Sequence, residues 1–526
     1  MKTFHKILSN SLVVLLLAVS CTGNYLMYNT NPYEVTADQM NRDAYLTRSA
    51  LTGMQGYVIP TDVNLNQFLE HLLGGPFGGY ISESNQGFTN RFSNYNMSQD
   101  WLCKMYKDII PNIYANYAQL VAATDDPVYL AVGNITRVAA VHRVTDTFGP
   151  IPYSKLGEDG NLVAPLDAQK DVYAKMISEL EEAVTALLEH QTESFSANAD
   201  KIYSGSVIKW IRLANSLKLR LAMRMVYADP ANARKYAESA VAESNGGVLS
   251  SNDDNALIQA TNNPHRVIMY EYNGGDSRIA ADITTYMNGY SDPRRPFYFT
   301  ETTFTEADGV SANGFYGIRL GGDPIASDLA HKYSNMVVES SSKMIWMNAA
   351  EVAFLRAEGA LRGWDMGGSA ESFYKAGVSL SFEQWGAGSA DAYLADATSV
   401  PQPYVDPLGI YSYSGTVPDV TILYDETADF EANLERIITQ KWIANFPLGN
   451  EAWADFRRTG YPRLMPVPVN KNTTQVPAGT FPRRLTYPQE EYRENGSNVS
   501  AVLGDLSPAS DLMSSRVWWD CNPNTK

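Results

Sequence analysis

The sequence predicts a mainly α-helical protein in which paired helices form a scaffold and long irregular segments lie between the pairs. Two observations predict this fold class. Apolar residues recur at helical spacing in two separate parts of the chain, and stretches rich in glycine, proline and aromatic residues interrupt them. The chain has 526 residues, 44% hydrophobic and 11% aromatic. A globular protein with a large core and a few short strands fits this composition.

The first twenty residues have the features of an export signal. Basic residues at positions 2, 5 and 6 precede the apolar run LVVLLLAV, which is too short to cross a bilayer. Cys21 follows small or compact residues of the kind that a lipoprotein signal peptidase accepts, although Ala18 stands where the usual lipobox has leucine. We expect a signal peptide over residues 1–20, acylation of Cys21 by palmitate or a similar chain, and a lipidated tether over residues 21–35. A simple secretory signal is the alternative.

The net charge of −17 bears on the class of partner. Nucleic acids and anionic membrane surfaces are bound by clustered lysine and arginine, so they are poor partners for this chain. Neutral ligands are more compatible with this negative charge than polyanions are. If Cys21 is acylated, Cys103 and Cys521 remain, and they either form one disulfide or stay unpaired.

Two pairs of amphipathic helices are predicted to form the scaffold. The first pair covers Tyr203–Tyr227 and the sequence ANARKYAESAVAES, and the second covers Ile345–Trp364 and SAESFYKAGVSLSFEQWG. Alanines where the helices touch, with a proline or glycines at the turn, are typical of a tetratricopeptide-type unit. We expect the scaffold to occupy about residues 101–247 and 344–465.

The stretch Ile437–Leu464 combines several specific residue choices. A helix that stops near Pro447 is followed by a second one, where the i,i+4 spacing sets Arg457 beside Trp453 and places Asp455 within one turn of Arg458. The stretch has no nucleophile, histidine or metal-ligand set, so we interpret it as a structural clip.

Three irregular segments are predicted, at about residues 72–100, 250–343 and 399–417. Glycines and prolines there prevent regular helix, and short strands are expected at RVIMYEY and PFYFT. Aromatic side chains in such loops either pack inward or face a ligand.

Several of these stretches resemble one family. The run QKWIANFPLGNEAWADFRRTGYPRL, with FPRRLTYPQEEYRENGSNV and VWWD after it, is similar to the C-terminal signature of the SusD/RagB family of nutrient-binding outer-membrane lipoproteins, in its SusD-like second subgroup. The segments NPYEVTADQMNRD, VTDTFGPIPYSK and EVAFLRAEGALRGW resemble further family elements in the same chain order.

The resemblance implies a single SusD-like domain over residues 36–526, with a tetratricopeptide-like scaffold and a loop-rich half that faces the ligand. It also implies that the protein binds a nutrient, commonly an oligosaccharide, and caps a SusC-like TonB-dependent outer-membrane transporter without breaking a bond. It would be lipid-anchored in the outer membrane and surface-facing. In lipoproteins of this kind, an acidic run after the acylated cysteine commonly marks export to the cell surface, and no such run follows Cys21. No cofactor or metal is expected.

Neutral sugars are held by aromatic faces, with amide, carboxylate or arginine groups for their hydroxyls. On these residue types alone, the predicted ligand contacts are Tyr80, Asn85, Phe88, Arg91, Tyr290, Tyr298 and Tyr316. The resemblance transfers none of them, because family members differ in their ligand residues.

Two other functions remain open. A secreted glycan-degrading enzyme would need two carboxylates facing across a cleft, and none of the usual hydrolase, metalloprotease or nucleotide-binding motifs is present. A helical-repeat adaptor that binds protein or peptide is the second. The sequence leaves open whether the loop from Ser251 to Asp254 binds calcium.

Overall fold

The computed structural model describes residues 44–157, 163–305 and 311–525. The predicted signal peptide, the acylation site Cys21 and the tether lie outside these residues. Within them the protein is mainly helical with a few short strands, as the sequence predicts.

The helices, in chain order, are α1 (Tyr45–Gln55), α2 (Val63–Asn66), α3 (Gly75–Phe77), α4 (Gln99–Leu102), α5 (Ile110–Ala123), α6 (Pro127–Phe148), α7 (Gln169–Leu188), α8 (Val207–Arg224), α9 (Pro230–Val241), α10 (Pro264–Tyr270), α11 (Ala281–Gly289), α12 (Arg295–Tyr298), α13 (Ser327–Ala330), α14 (Ala349–Leu361), α15 (Ala370–Trp385), α16 (Asp391–Leu394), α17 (Phe430–Ala444), α18 (Gly449–Thr459), α19 (Gln489–Glu494) and α20 (Gly496–Val502). Two π-helical segments, Gln67–Gly74 and Met105–Ile109, join α2 to α3 and precede α5. Short 3₁₀ turns occur at Ala197–Ala199, Glu243–Asn245, Asn252–Asp254, Tyr272–Gly274 and Leu503–Asp505.

The strands form three two-stranded antiparallel sheets. They pair β1 (Ile81–Glu83) with β3 (Ser277–Ile279), β2 (Ala256–Ile258) with β6 (Met344–Met347), and β4 (Thr302–Thr305) with β5 (Ser311–Gly314).

Consecutive long helices pack side by side and build the scaffold. The series α6, α7, α8 and α9 packs in sequence order, and α14 packs against α15 and α17. These contacts confirm the predicted helix-pair scaffold. The second pair begins later than predicted, because Ile345 and its neighbours pair with β2 as a strand and Asn348 then caps α14 by accepting a hydrogen bond from the Glu351 amide at 2.7 Å.

The predicted strands at RVIMYEY and PFYFT are wrong. The first stretch lies mostly in α10, because the Asn263 side chain accepts hydrogen bonds from the amides of His265 and Arg266 and Pro264 occupies the first helical turn. The second begins in α12, and Phe299, just after that helix, has an extended backbone and forms an isolated bridge with Met336. In the first stretch, local capping therefore overrides the strand preference of the apolar residues.

A fully buried ionic network joins five helices. Glu451 on α18 pairs with Arg224 on α8 and, at 3.0 Å, with Lys441 on α17. Asp455 accepts from Lys441 at 2.6 Å and from Arg458 at 3.0 Å. Two further pairs involve α14. Arg220 binds Glu351 at 2.7 and 2.8 Å, and Arg458 binds Glu358 at 2.5 and 2.7 Å. Arg224 also lies 3.3 Å from Asp146 on α6. Because each charge needs its partner once it is buried, the network fixes how these helices stand against one another.

The predicted geometry of the C-terminal signature is confirmed. The Arg457 guanidinium lies 3.7 Å from the centre of the Trp453 ring, and its Nη1 donates to the carbonyl oxygens of Asp146 and Arg483. Gly460 ends α18 with φ of 84°, a conformation that glycine adopts without strain. These contacts agree with the interpretation of this stretch as a structural clip.

None of the helices in the described part of the chain combines the length and the apolar character needed to cross a membrane.

Candidate functional site

Three of the predicted ligand contacts are buried in the core. Tyr80, Tyr290 and Tyr298 are at most 2% exposed, and their hydroxyls donate to the carbonyl oxygens of Trp442, Val420 and Ile443, respectively. Burial raises the pKa of all three, to about 12 for Tyr298. The prediction that they contact ligand is wrong for this structure, because two of them close against α17 and the third against the segment before it.

The other predicted contacts hold a short loop or stand beside it. Arg91 is 5% exposed and donates to the carbonyl oxygens of Phe88 and Asn85 at 3.1 and 3.2 Å, so it closes the loop internally and is not placed to bind a ligand. The Asn85 amide donates to Asp276 at 2.7 Å, and the Phe88 ring packs edge-on against Trp101.

Tyr316 packs edge-on against Phe304, with ring centres 5.2 Å apart. Asn85, Phe88 and Tyr316 are all half-buried. Their contact with a ligand therefore stays a prediction.

A pocket with a cavity volume of about 180 Å³ lies where the irregular segment around residues 401–418 meets α11 and the chain after α18. We call it the Tyr413 pocket. The side chains of its lining that carry polar or aromatic chemistry include Asp282, Tyr286, Gln402, Tyr404, Tyr413 and Arg463.

The loop that supplies Tyr404 and Tyr413 is held in shape by hydrogen bonds within the loop and by one to Gly317. The Asp406 carboxylate accepts from the backbone amides of Leu408, Ile410 and Tyr411 at 2.8 to 3.1 Å. The Tyr404 hydroxyl donates to the carbonyl oxygen of Gly317 at 2.9 Å. An irregular segment is thereby given a defined shape without regular secondary structure.

Tyr413 contributes a half-exposed ring to the pocket, and an arginine lies against that ring. The Arg319 guanidinium lies 5.0 Å from the ring centre, and its Nη2 donates to the carbonyl oxygen of Pro466. Burial lowers the pKa of Arg319. A cation against one face of a tyrosine holds the ring in place.

Polar groups stand at the wall and the rim of the pocket. Asp282 is 1% exposed, and one of its carboxylate oxygens accepts the backbone amide of Met465 at 2.8 Å. Burial raises the pKa of Asp282, although the nearby Arg319 opposes that rise. At the rim, Arg463 has a half-exposed side chain that pairs with Glu435 at 2.8 Å, and the Gln402 side chain is exposed.

This arrangement can bind a neutral polar ligand. It combines aromatic surface with separate hydrogen-bonding groups, which is the chemistry that sugar rings and hydroxyls require. Asp282 is the single carboxylate among the described residues that line the pocket. The opposed carboxylate pair of a glycoside hydrolase is therefore not formed by this lining.

Other polar side chains, outside the Tyr413 pocket, have structural roles. In the loop from Ser251 to Asp254, the Asp254 carboxylate caps its own turn and pairs with Arg212 at 2.7 Å. His142 is 3% exposed and hydrogen-bonded to the Val138 carbonyl, and burial lowers its pKa to about 3.

Cys103 and Cys521 are both free thiols. No group of His, Cys, Asp or Glu side chains suited to hold a metal occurs within the residues that the structure describes.

Sequence reasoning missed the residues that line this pocket, although part of the signal was there. The segment at 399–417 stood out for its tyrosines among prolines and glycines, and Tyr404 and Tyr413 belong to it. Asp282 and Arg463 carried no such signal, because only the fold brings α11 and the chain after α18 to that loop.

Comparison with known proteins agrees with the fold. A family model described as "Susd and RagB outer membrane lipoprotein" matches residues 27–520. The chain is 44% identical to a SusD homologue from Bacteroides uniformis, over 91% of this chain and 100% of that one, with a TM-score of 0.86. A SusD homologue from Bacteroides thetaiotaomicron is 43% identical over 91% of this chain and 99% of its own, with a TM-score of 0.85.

A chitin-binding SusD homologue from Flavobacterium johnsoniae is 35% identical, over 90% of this chain and 99% of that one, with a TM-score of 0.81. A search of curated protein sequences finds no match. The family model and these structures cover nearly the whole chain, and the chain therefore belongs to the SusD/RagB family of outer-membrane lipoproteins.

Proposed function

We propose that this protein is a cell-envelope lipoprotein that captures an oligosaccharide at the Tyr413 pocket and delivers it to a SusC-like TonB-dependent transporter. The observation that carries the proposal is the combination of a supported tyrosine ring with a buried carboxylate and polar rim groups in one pocket. The chitin-binding relative supports a glycan as the ligand class.

The size of the pocket limits what it holds. Pockets for whole drug-sized ligands measure about 300–1,000 Å³, whereas this one measures about 180 Å³. We therefore expect it to take one sugar unit of a longer chain, with the neighbouring units lying over exposed loop residues such as Gln402.

The proposal includes attachment to the outer membrane through acylated Cys21, which the description of the family supports. It also includes a transporter as partner. Affinity purification of the full-length protein from detergent-solubilised membranes is expected to retain a large β-barrel protein. Recovery without one, from cells that express a SusC-like protein, would contradict the partner assignment.

One experiment tests both the class of ligand and whether the protein cleaves it. Isothermal calorimetry with the purified protein uses neutral oligosaccharides, including chitin-type and starch-type oligomers, and peptides of similar size. Chromatography of the same mixtures then detects cleavage products. The proposal predicts saturable heat with at least one neutral oligosaccharide, none with the peptides and no products. Turnover would favour the enzyme, and peptide binding alone would favour the adaptor.

A further inference from the structure

The Asp406 carboxylate closes the loop that brings Tyr404 and Tyr413 to the Tyr413 pocket. Its two oxygens accept hydrogen bonds from four groups, which are the Tyr333 hydroxyl and the backbone amides of Leu408, Ile410 and Tyr411, with the amides at 2.8 to 3.1 Å. Asp406 is only 6% exposed. Hydrogen bonds to a carboxylate are stronger than those between neutral groups, and a buried carboxylate depends on them. Asp406 therefore needs these donors and fixes where they lie.

Three further hydrogen bonds connect the backbone around Asp406 to Tyr413. The Asp406 amide donates to the Ser412 hydroxyl at 2.9 Å, and the Gly409 amide donates to the Asp406 carbonyl oxygen at 2.8 Å. The Tyr413 amide donates to the carbonyl oxygen of Tyr404 at 3.0 Å. Residues 404–413 therefore form a closed loop, in which the two tyrosines are joined at the ends and the turn between them is built on one aspartate.

Apolar packing contributes little to the shape of this loop. Val405 is 72% exposed and Ile410 is 47% exposed, although Leu408 is half-buried against a small apolar cluster. The loop contains neither helix nor strand, so it has no regular backbone ladder to offset the conformational entropy that each ordered residue loses. The hydrogen bonds to Asp406 are therefore the chief constraint on the conformation of the loop.

We propose that Asp406 is the positioning residue of the Tyr413 pocket, and that its carboxylate holds residues 404–413 in the binding conformation before a ligand arrives. Asp406 does not itself line the pocket, so it acts through the place that it gives to the Tyr413 ring. This inference rests on the proposed function and adds that the site is preformed. A ligand that meets an ordered ring does not have to order the loop, whereas a protein in which a fraction of molecules hold the ring correctly binds more weakly by that fraction.

The first arm of the test observes the Tyr413 ring without ligand. Fluorotyrosine is placed at this position in the mature protein, and its fluorine NMR signal is compared between the parent, Asp406→Asn and Asp396→Asn. Asp396 is the matched control, because it accepts the backbone amides of Thr398 and Ser399 at 2.8 and 2.9 Å but does not line the pocket.

Asp406→Asn replaces an acceptor oxygen with a donor that faces other donors. We expect it to broaden or divide the signal, and we expect one narrow signal from the parent and from Asp396→Asn. A merely structural role of Asp406 would lower the thermal midpoint and leave the signal unchanged. One unchanged, narrow signal in Asp406→Asn would therefore overturn the inference.

The second arm measures affinity for a neutral oligosaccharide by calorimetry. Asp406→Asn should weaken binding about tenfold, as expected when about one molecule in ten holds the loop correctly, and Asp396→Asn should bind like wild type. Ser412→Ala is the second variant, to be used if Asp406→Asn does not fold. Ser412 is exposed, and the loss of its hydroxyl should weaken binding about twofold or more.

Two results would contradict the inference in different ways. Unchanged affinity in Asp406→Asn, or in Ser412→Ala where Asp406→Asn does not fold, would overturn the role of Asp406 and leave the proposed function intact if Tyr413→Ala loses affinity. A wild-type protein that binds no glycan would overturn both.

Discussion

Arg458 and Glu358 form a two-armed ion pair in the centre of the scaffold, with N–O distances of 2.5 and 2.7 Å and both side chains at most 1% exposed. The arginine belongs to the C-terminal signature and the glutamate to α14. The pair therefore joins two stretches that the sequence marks separately, 100 residues apart.

Removing one member of this pair should destabilise the protein strongly. Glu358→Gln leaves Arg458 and Arg362 without the carboxylate that they share, and we expect a loss of about 3–5 kcal/mol in the free energy of unfolding. Urea denaturation measures it. Glu371→Gln is the control, because its pair with Lys375 is exposed and should be worth less than about 1 kcal/mol. Equal effects of the two variants would contradict the central role of the buried pair.

The same pair predicts how stability depends on pH. Arg458 and Arg362 outweigh the effect of burial and lower the pKa of Glu358 from 4.5 to about 2. A carboxyl whose pKa is lower when folded stabilises the protein above its unfolded pKa, and this contribution is lost as the pH falls from 4.5 toward 2. Thermal midpoints of wild type and Glu358→Gln, measured across this range, should converge at the acid end. A constant gap would speak against the lowered pKa.

Gly449 should not tolerate a side chain. A Cβ at this position would lie 2.2 Å from the carbonyl oxygen of Gly74, where the π-helical segment meets α18, and backbone atoms have little freedom to move apart. Gly449→Ala is expected to cost about 1–3 kcal/mol in urea denaturation. Gly496→Ala, whose Cβ would meet nothing within 4 Å, should change stability by less than about 1 kcal/mol. A neutral Gly449→Ala would mean that these two elements are not packed this closely.

Acylation of Cys21 predicts a simple cellular result. Cys21→Ser should abolish incorporation of labelled palmitate and release the protein from the membrane fraction, because the acyl chains supply the anchor. Cys521→Ser, which changes an exposed free thiol, should leave both unchanged. Labelled, membrane-bound Cys21→Ser protein would place the anchor elsewhere.

The helix pairs and the C-terminal clip could be predicted because their signals are local. Spacing within one helix sets Arg457 over Trp453, and the structure confirms it. The fate of the loop tyrosines could not be predicted in this way. Tyr80 lies in the core, where its hydroxyl donates to the carbonyl oxygen of Trp442, 362 residues further along the chain. No residue near Tyr80 in the sequence indicates that contact.

Only part of the pocket lining could be predicted from the sequence, for the same reason. Tyr413 stands in a stretch whose composition already suggests a ligand-facing loop, whereas Asp282 sits in a helix that the sequence pattern does not predict. Its place in the pocket depends on contacts among three separate segments. Residue types and spacing carry no information about such contacts.

Glycan affinity of Tyr413→Ala, measured by calorimetry beside wild type and Tyr236→Ala, tests the central claim most directly. Tyr413 lines the pocket, and Tyr236 is a half-buried tyrosine on α9 of the scaffold. Stacking on one aromatic ring contributes about 0.5–1.5 kcal/mol or more, so Tyr413→Ala should weaken binding of the neutral oligosaccharide several-fold or abolish it, and Tyr236→Ala should bind like wild type. Wild-type affinity in Tyr413→Ala would show that the ligand binds elsewhere on the protein.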